Sequence, residues 1–339
     1  MLEIIDNADL SAHTSLRLQG RVDRLIRVHH PTELADAKRA LRGAFRGLLG
    51  EGTNSVFGSH IQGSMIQIAW RGIERISPNQ VRAQAGENWD ELVQWSLCQE
   101  LQGLENLSMI PGSVGAAPIQ NIGAYGVELS QRFSELEAVH WEHHERKRFR
   151  LADCFFSYRS SIFKQLSHQG WIISQVDFQL NPQDAGDPSS VLHYAYPDLM
   201  QRFACAAPRN ARELAQAVRS IRSHKLPDPN IEPNAGSFFH NPRLSNPIVM
   251  DLKARFPELP IYPDGAHHHK IPAAWMIERC GLKGQRQGDV GVSDKHALVL
   301  VNYGQASGES LLAFAQTIIQ AVQQRFGLTL SIEPRVLLR

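Results

Sequence analysis

Between Pro111 and Gly126 the chain reads PGSVGAAPIQNIGAYG, and no regular helix or central strand can be threaded through it. Four glycines and two prolines break hydrogen-bond ladders and open backbone conformations that other residues avoid. The segment is therefore a long, shaped loop. A second glycine-rich turn, Gly50-Glu51-Gly52-Thr53-Asn54-Ser55, lies some sixty residues earlier. Both turns offer what a bound pyrophosphate needs: close backbone approach, exposed N–H groups, and donors on Thr53, Asn54, Ser55 and Ser113. Neither matches GxGxxG or GxxxxGK[ST], which argues against a Rossmann or P-loop nucleotide site and for a different dinucleotide fold. Taken singly, each loop reads more simply as a tight turn between a strand and a helix.

The flanking sequence supports a mixed α and β chain. Val22 to Val28 reads as a strand, and Pro31-Thr32-Glu33 opens a helix with Leu34, Ala37 and Leu41 on one face. Leu48 and Leu49 then lead into the first glycine-rich turn. Asn88 is an N-cap with Glu91 three residues on, and the helix it starts carries Trp89, Leu92, Val93 and Leu97 inward and is expected to end near Gly103. NPQDAGDPSS, 181 to 190, reads as a turn-rich connection. Leu214, Val218 and Ile221 mark a helix stopped by Pro227, and LPDPNIEPN is the expected domain boundary. Leu311, Ala315, Ile318 and Val322 line a further helix ended by Gly327, after which Leu328, Leu330 and Ile332 alternate as a closing strand. Trp89, Trp95 and Trp275 are read as core residues.

Charge and cysteine usage narrow the function. Lys plus Arg is 35 against 34 for Asp plus Glu, so no global field would hold nucleic acid or an anionic membrane, and an anionic ligand must be met by a local site. The four cysteines lie far apart without CxxC, and there is no HExxH, so no metal site is expected and a reducing compartment fits. His267, His268 and His269 cannot all face one ion from a strand or helix and are read as a solvated loop. The acidic N-terminus and the lack of a long apolar run point to a cytoplasmic protein.

GEGTNSVF followed by IPGSVGAAPIQNIGAYGVEL resembles the paired FAD loops of the UDP-N-acetylenolpyruvoylglucosamine reductase (UDP-N-acetylmuramate dehydrogenase) family, in its branch with a tyrosine loop. The resemblance continues through SYRSSIFK, HKLPDP, NAGSFFHNP, GLKG and IEP, and so covers nearly the whole chain. It implies an α+β protein with a vanillyl-alcohol-oxidase-like (PCMH-type) two-subdomain FAD-binding fold and a third α+β substrate-binding domain. The expected parts are residues 1–69 with 330–339, residues 70–225, and residues 226–329. The implied reaction is NADPH-dependent, FAD-mediated reduction of UDP-N-acetylglucosamine enolpyruvate to UDP-N-acetylmuramate, in peptidoglycan precursor synthesis. The implied partners are the UDP-sugar and NADPH, with no nucleic acid, no membrane and a monomeric chain.

Site residues follow position by position from the same resemblance. Arg159 of SYRSSIFK, Ser237 of NAGSFF and Glu333 of the terminal EP match the active-site arginine, proton-donating serine and glutamate. The FAD contacts fall on Gly50 to Ser55, on Pro111-Gly112-Ser113-Val114-Gly115-Ala116, on Asn121-Ile122-Gly123-Ala124-Tyr125-Gly126, and on Arg222. Tyr158, Lys225, Asn241 and Lys283 match substrate contacts, with Lys225 and Asn241 on the diphosphate; Tyr194 is the preferred match to the loop tyrosine and Tyr196 the fallback. FAD is expected to bind noncovalently, because neither loop holds a His or Cys.

The residue types suit the chemistry on their own terms. Hydride delivery to an enolpyruvyl double bond leaves negative charge beside the carboxylate, which must be stabilised and then protonated. Arg159 can pair a carboxylate in bidentate fashion, and a hydroxyl held against so basic a carbon is a sufficient acid. Glu333 either is polarised by Arg159 or holds it in place, and Arg335 puts a positive charge close by in sequence. Two rivals remain: an FAD oxidase of the same fold, which would need neither HKLPDP nor NAGSFFHNP, and a noncatalytic flavin sensor, which would not need the Arg159, Ser237 and Glu333 set.

Overall fold

The computed structural model describes residues 2–168, 170–182 and 191–338. Contacts divide the chain into two compact units, Met1–Asp6 with Arg24–Glu51 and Gly63–Arg222, and Asn7–Asp23 with Gly52–Gln62 and Ser223–Arg339. Residues 1–69 thus contribute to both. The division between Arg222 and Ser223 falls just ahead of LPDPNIEPN.

The first unit is built on a five-stranded antiparallel sheet, in the order Arg146–Arg150, Phe133–His140, Trp171–Gln179, Gln80–Gln84, Ile73–Ser77. Both faces are covered, which explains the apolar run in Trp171–Gln179. One face packs Val81, Leu136, Val176 and Phe178 against Leu92, Val93, Leu214 and Val218 of the helices Trp89–Cys98 and Ala211–Lys225. The other places Val139 and Ile172 against Ile26, Val28 and Ile66. These come from the strands Arg21–Val28 and His60–Ile68, neighbours in a sheet that also holds Phe45–Leu49, parallel to His60–Ile68. The helix Leu34–Arg39 buries Leu34 and Ala37, while Leu41 lies beyond its end.

Asn88 caps the helix Trp89–Cys98 by accepting from the Glu91 amide at 3.0 Å. That helix stops well before Gly103, because Glu100 turns to φ +58 and Leu101 and Gln102 are drawn into the core as a short strand paired with Asn181–Pro182. No glycine was needed for the stop. Residues 183–190 of the expected turn-rich connection lie outside the described residues.

In the second unit the sheet Asn234–Ser237, Val299–Asn302, Val290–Val292, Arg286–Gln287 packs on the helix Gly308–Phe326. Phe238, Phe239, Leu300, Leu311, Ile318 and Val322 make its centre. Gly327 ends the helix at φ +76. The expected closing strand at 328–332 does not form: Leu330 packs into the core and only Ile332 bridges, to Phe239. Alternation there reflects burial without a ladder partner. The strand comes later, as Arg335–Leu337, parallel to Ser55–Phe57.

His268–Lys270 is also a strand rather than a solvated loop, because Leu244 pairs with His269 and Pro263 flanks it on the other side. Trp89 is buried, and Trp95 and Trp275 pack half-buried on the two cores. Among the described residues no helix is long and apolar enough to cross a membrane, and no group of His, Cys, Asp or Glu could hold a metal ion.

Candidate active site

In the first unit the two glycine-rich loops meet. A Cβ on Gly50 would lie 2.6 Å from the Ser113 Oγ, so a side chain there would displace the serine hydroxyl. Trp89 donates to the Gly112 carbonyl at 2.9 Å, and Val114 and Gly115 donate to the carbonyls of Glu87 and Ala85, both at 2.8 Å. Ala116 bonds back to Ser113. The loop therefore offers fewer donors than its sequence promised, since pairing with residues 85–87 closes several of them. The amides of Glu51, Gly112 and Ser113 have no hydrogen-bond partner among the described residues. In the second unit Gly52 sits at φ +63 with the His13 carbonyl oxygen where a Cβ would go, and Asn54 accepts from the Arg335 amide at 3.0 Å.

Asn121 turns the loop at φ +42, yet its side chain is consumed within the protein. It donates to Glu128 at 2.8 Å and to the Ser157 carbonyl at 3.2 Å, and accepts from Ser130 at 3.0 Å. This ties the loop to SYRS. There Ser157 and Ser160 exchange amide hydrogen bonds at 3.0 and 3.1 Å, leaving Tyr158 and Arg159 as the turn, with Arg159 at φ +53. The left-handed backbone costs about 1 kcal/mol and projects the guanidinium onto the loop. It donates to the Gly123 carbonyl at 2.8 Å and lies 5.6 Å from the Tyr158 ring centre.

Arg222, from the helix Ala211–Lys225, donates to the Met109 carbonyl at 3.2 Å, while its enclosed Nε has no partner among the described residues. Burial pushes its pKa down; Tyr125 and Asp90 oppose this and Arg159 adds repulsion. Asp90 is already held by Arg219 at 2.6 Å and by the Met109 amide at 2.7 Å. Two guanidiniums within electrostatic reach of each other make this a place for an anion. Burial also lifts the Tyr125 phenol to about 12. Tyr194 turns away, packing on Phe203 and the core. Tyr196, 42% exposed, is the one whose ring meets Tyr125.

In the second unit Ser237 is exposed at the end of Asn234–Ser237, after a register shift, with Phe238 and Phe239 buried behind it. Glu333 donates its amide to the Phe238 carbonyl at 3.0 Å, which ties its backbone to the residue that follows the serine. Its carboxylate is 3.6 Å from His240 Nδ1. Asn241 accepts from the Ala273 amide at 2.9 Å at the start of the helix Ala273–Arg279, and Lys283 pairs with Glu278 at 3.1 Å. Lys225 is exposed.

Two histidines were not singled out from the sequence: His240, and His296, whose pKa burial holds below the usual value, with repulsion from Lys283 and Lys225. Its Nδ1 accepts from the Leu298 amide at 3.2 Å, which leaves the proton on Nε2 as a donor. A lone histidine before a strand carries no spacing signal.

Two family profiles match the chain: an FAD binding domain over residues 22–142, and the UDP-N-acetylenolpyruvoylglucosamine reductase C-terminal domain over residues 228–337. A UDP-N-acetylenolpyruvoylglucosamine reductase from Xanthomonas oryzae pv. oryzae (strain PXO99A) is 41% identical over 344 residues, covering 99% of this chain and 96% of that protein. The chain belongs to the UDP-N-acetylenolpyruvoylglucosamine reductase family. A member from Pseudomonas fluorescens is 43% identical over 295 residues, 85% of each chain. The fold is that of the solved family structure from Thermus caldophilus, with a TM-score of 0.68, 23% identity and 99% of both chains covered. The FAD binding match contains both glycine-rich loops, and the reductase match contains Ser237, Asn241, Lys283, His296 and Glu333. Arg159, Tyr196, Arg222 and Lys225 lie between the two matches.

Proposed function

We infer that this chain is an FAD-dependent oxidoreductase that uses NADPH to reduce UDP-N-acetylglucosamine enolpyruvate to UDP-N-acetylmuramate for peptidoglycan precursors. The observation that carries the reading is the Arg159 guanidinium bound to the Gly123 carbonyl, a carboxylate-binding cation set directly on the loop of the FAD binding domain. The residues fit FAD: the Glu51, Gly112 and Ser113 amides have no partner among the described residues, and Gly50 brings the first loop close to Ser113 of the second. Held by these loops, FAD would supply the redox chemistry, passing hydride from NADPH to the double bond.

The protein's own groups do the rest. Arg159, with Arg222 adding positive field, binds the enolpyruvyl carboxylate and stabilises the charge that develops beside it. Ser237 Oγ donates the proton to that carbon, and Glu333, 3.6 Å from His240 Nδ1, keeps the surroundings of this acid polar. Lys225, Asn241, Lys283 and the His296 Nε2–H hold the diphosphate, and Tyr196 rather than Tyr194 serves as the loop tyrosine. Residues 1–69 with 330–339 and residues 70–225 serve as the flavin clasp, and residues 226–329 hold the substrate. The pairing of Arg335–Leu337 with Ser55–Phe57 supports joining the first two segments. A monomeric cytoplasmic enzyme without a nucleic-acid partner suits the balanced charge.

The test is spectroscopic. Purified protein should be yellow, bleach anaerobically with NADPH, and recolour on adding UDP-N-acetylglucosamine enolpyruvate. Bleaching without recolouring would remove the substrate, and a colourless protein would remove the flavin.

A further inference from the structure

We propose that Asn88 is a positioning residue that fixes the two glycine-rich loops relative to each other, a role separate from capping its helix. The inference rests on the reading that these loops take FAD. Asn88 Nδ2 lies 3.0 Å from both carboxylate oxygens of Glu51, in the first loop. Its Oδ1 accepts from the Glu91 amide at 3.0 Å, closing the helix. Its backbone forms an antiparallel bridge with Ser113, in the second loop, flanked by the Trp89 to Gly112 and Val114 to Glu87 hydrogen bonds.

A cap alone uses only Oδ1, and Asp or Ser would serve it equally well. Holding Glu51 at the same time needs a donor on the same side chain, which the carboxamide has and a carboxylate lacks. The geometry matters because, among the described residues, the amides of Glu51, Gly112 and Ser113 have no partner. Whatever fixes Glu51 to the Ser113 strand sets the spacing at which those amides meet a ligand. Gly50 keeps the loops close, since a Cβ there would lie 2.6 Å from the Ser113 Oγ.

The charged groups around Asn88 allow a decisive substitution. Glu51 faces its Nδ2; Glu87 Oε1 accepts the Asn88 amide at 3.3 Å; Asp90 and Glu91 occupy the first helical turn; Arg71 reaches Glu87 at 3.6 Å and Glu91 at 3.0 Å. Asn88→Asp keeps the cap but sets a second carboxylate against Glu51. Two such groups cannot both ionise without repulsion, so at low pH a shared proton restores the bridge and at high pH the loops are pushed apart.

The experiment follows FAD release from the holoprotein by flavin fluorescence on dilution, from acid to alkaline pH. Asn88→Asp should match the parent at acid pH and lose FAD affinity roughly 10-fold or more as pH rises, the scale of a lost hydrogen bond to a charged group. Asn88→Ser, which retains a cap, should melt near the parental temperature yet bind FAD more weakly at every pH. Adding Glu51→Gln to Asn88→Asp should abolish the pH dependence. If both single variants follow the parent at all pH values, or the double variant keeps the pH dependence, Asn88 is only a cap. A parent that holds no FAD would sink the flavin reading itself, which is a different failure.

Discussion

The Tyr196 ring meets the Tyr125 ring edge to face, with centroids 5.2 Å apart and planes inclined at 73°. An exposed aromatic is thereby placed against the loop that Arg159 and Arg222 approach, whereas Tyr194 is spent on the core. Tyr196→Ala should raise the KM for the enolpyruvyl substrate about 2- to 10-fold, the value of an aromatic contact of ~0.5–1.5 kcal/mol, without changing the melting temperature. Tyr194→Ala should instead lower the melting temperature, by roughly 0.5–3 kcal/mol of stability. The reverse pattern would return the role to Tyr194.

Ser237 can be separated from binding by its two half-reactions. Ser237→Ala should bleach with NADPH at close to the parental rate, since that step takes no proton from the serine. Recolouring by substrate should slow by ~10²–10⁴-fold, as for a lost general acid. Equal slowing of both phases would make Ser237 a binding or structural residue. Ser237→Cys, still a proton donor, should retain more activity than alanine.

Lys225→Ala should weaken substrate binding by about 1.5–3 kcal/mol with flavin content unchanged. His296→Ala should weaken it as well, and His296→Gln, which keeps a donor, should recover part of the loss. Parental substrate affinity in both alanine variants would take the diphosphate elsewhere.

Glu105 gives a pH signature in stability. Burial raises its pKa above 4.5, against hydrogen bonds from the Gly103 amide and its own and the charge of Arg132. A raised folded-state value means its contribution is complete below about 4.5 and lost as pH climbs through the folded value. Glu105→Gln lacks this loss, so the melting temperature of the variant minus that of the parent should grow with pH. A difference that is flat, or that shrinks, would show the carboxylate to be adequately paired.

How much was legible depended on whether local chemistry or a distant partner decided. Glycines and prolines at 50–52 and 111–126 limit the backbone wherever they stand, so both loops could be read, and the Asn88 cap was read from Glu91 three residues on. Which loop amides stay open was hidden, because residues 85–87 close Val114 and Gly115. The ground for proposing Tyr196 over Tyr194 was hidden for the same reason: the ring that Tyr196 meets, Tyr125, is distant in sequence. Leu328, Leu330 and Ile332 alternate like a strand, but alternation reports burial and cannot supply a ladder partner.

The parallel pairing of Ser55–Phe57 with Arg335–Leu337 also sets a schedule for biosynthesis. On a ribosome adding ~5–20 residues each second, the later strand follows the earlier one by on the order of tens of seconds. Through that interval Val56 and Phe57, both buried in the finished fold, have no strand to lie against. The turn that carries Gly52, Thr53 and Asn54 can bond early to Ser15, which reaches the Gly52 and Thr53 carbonyls, but it gains the bond from the Arg335 amide to Asn54 only after residue 335 has been translated.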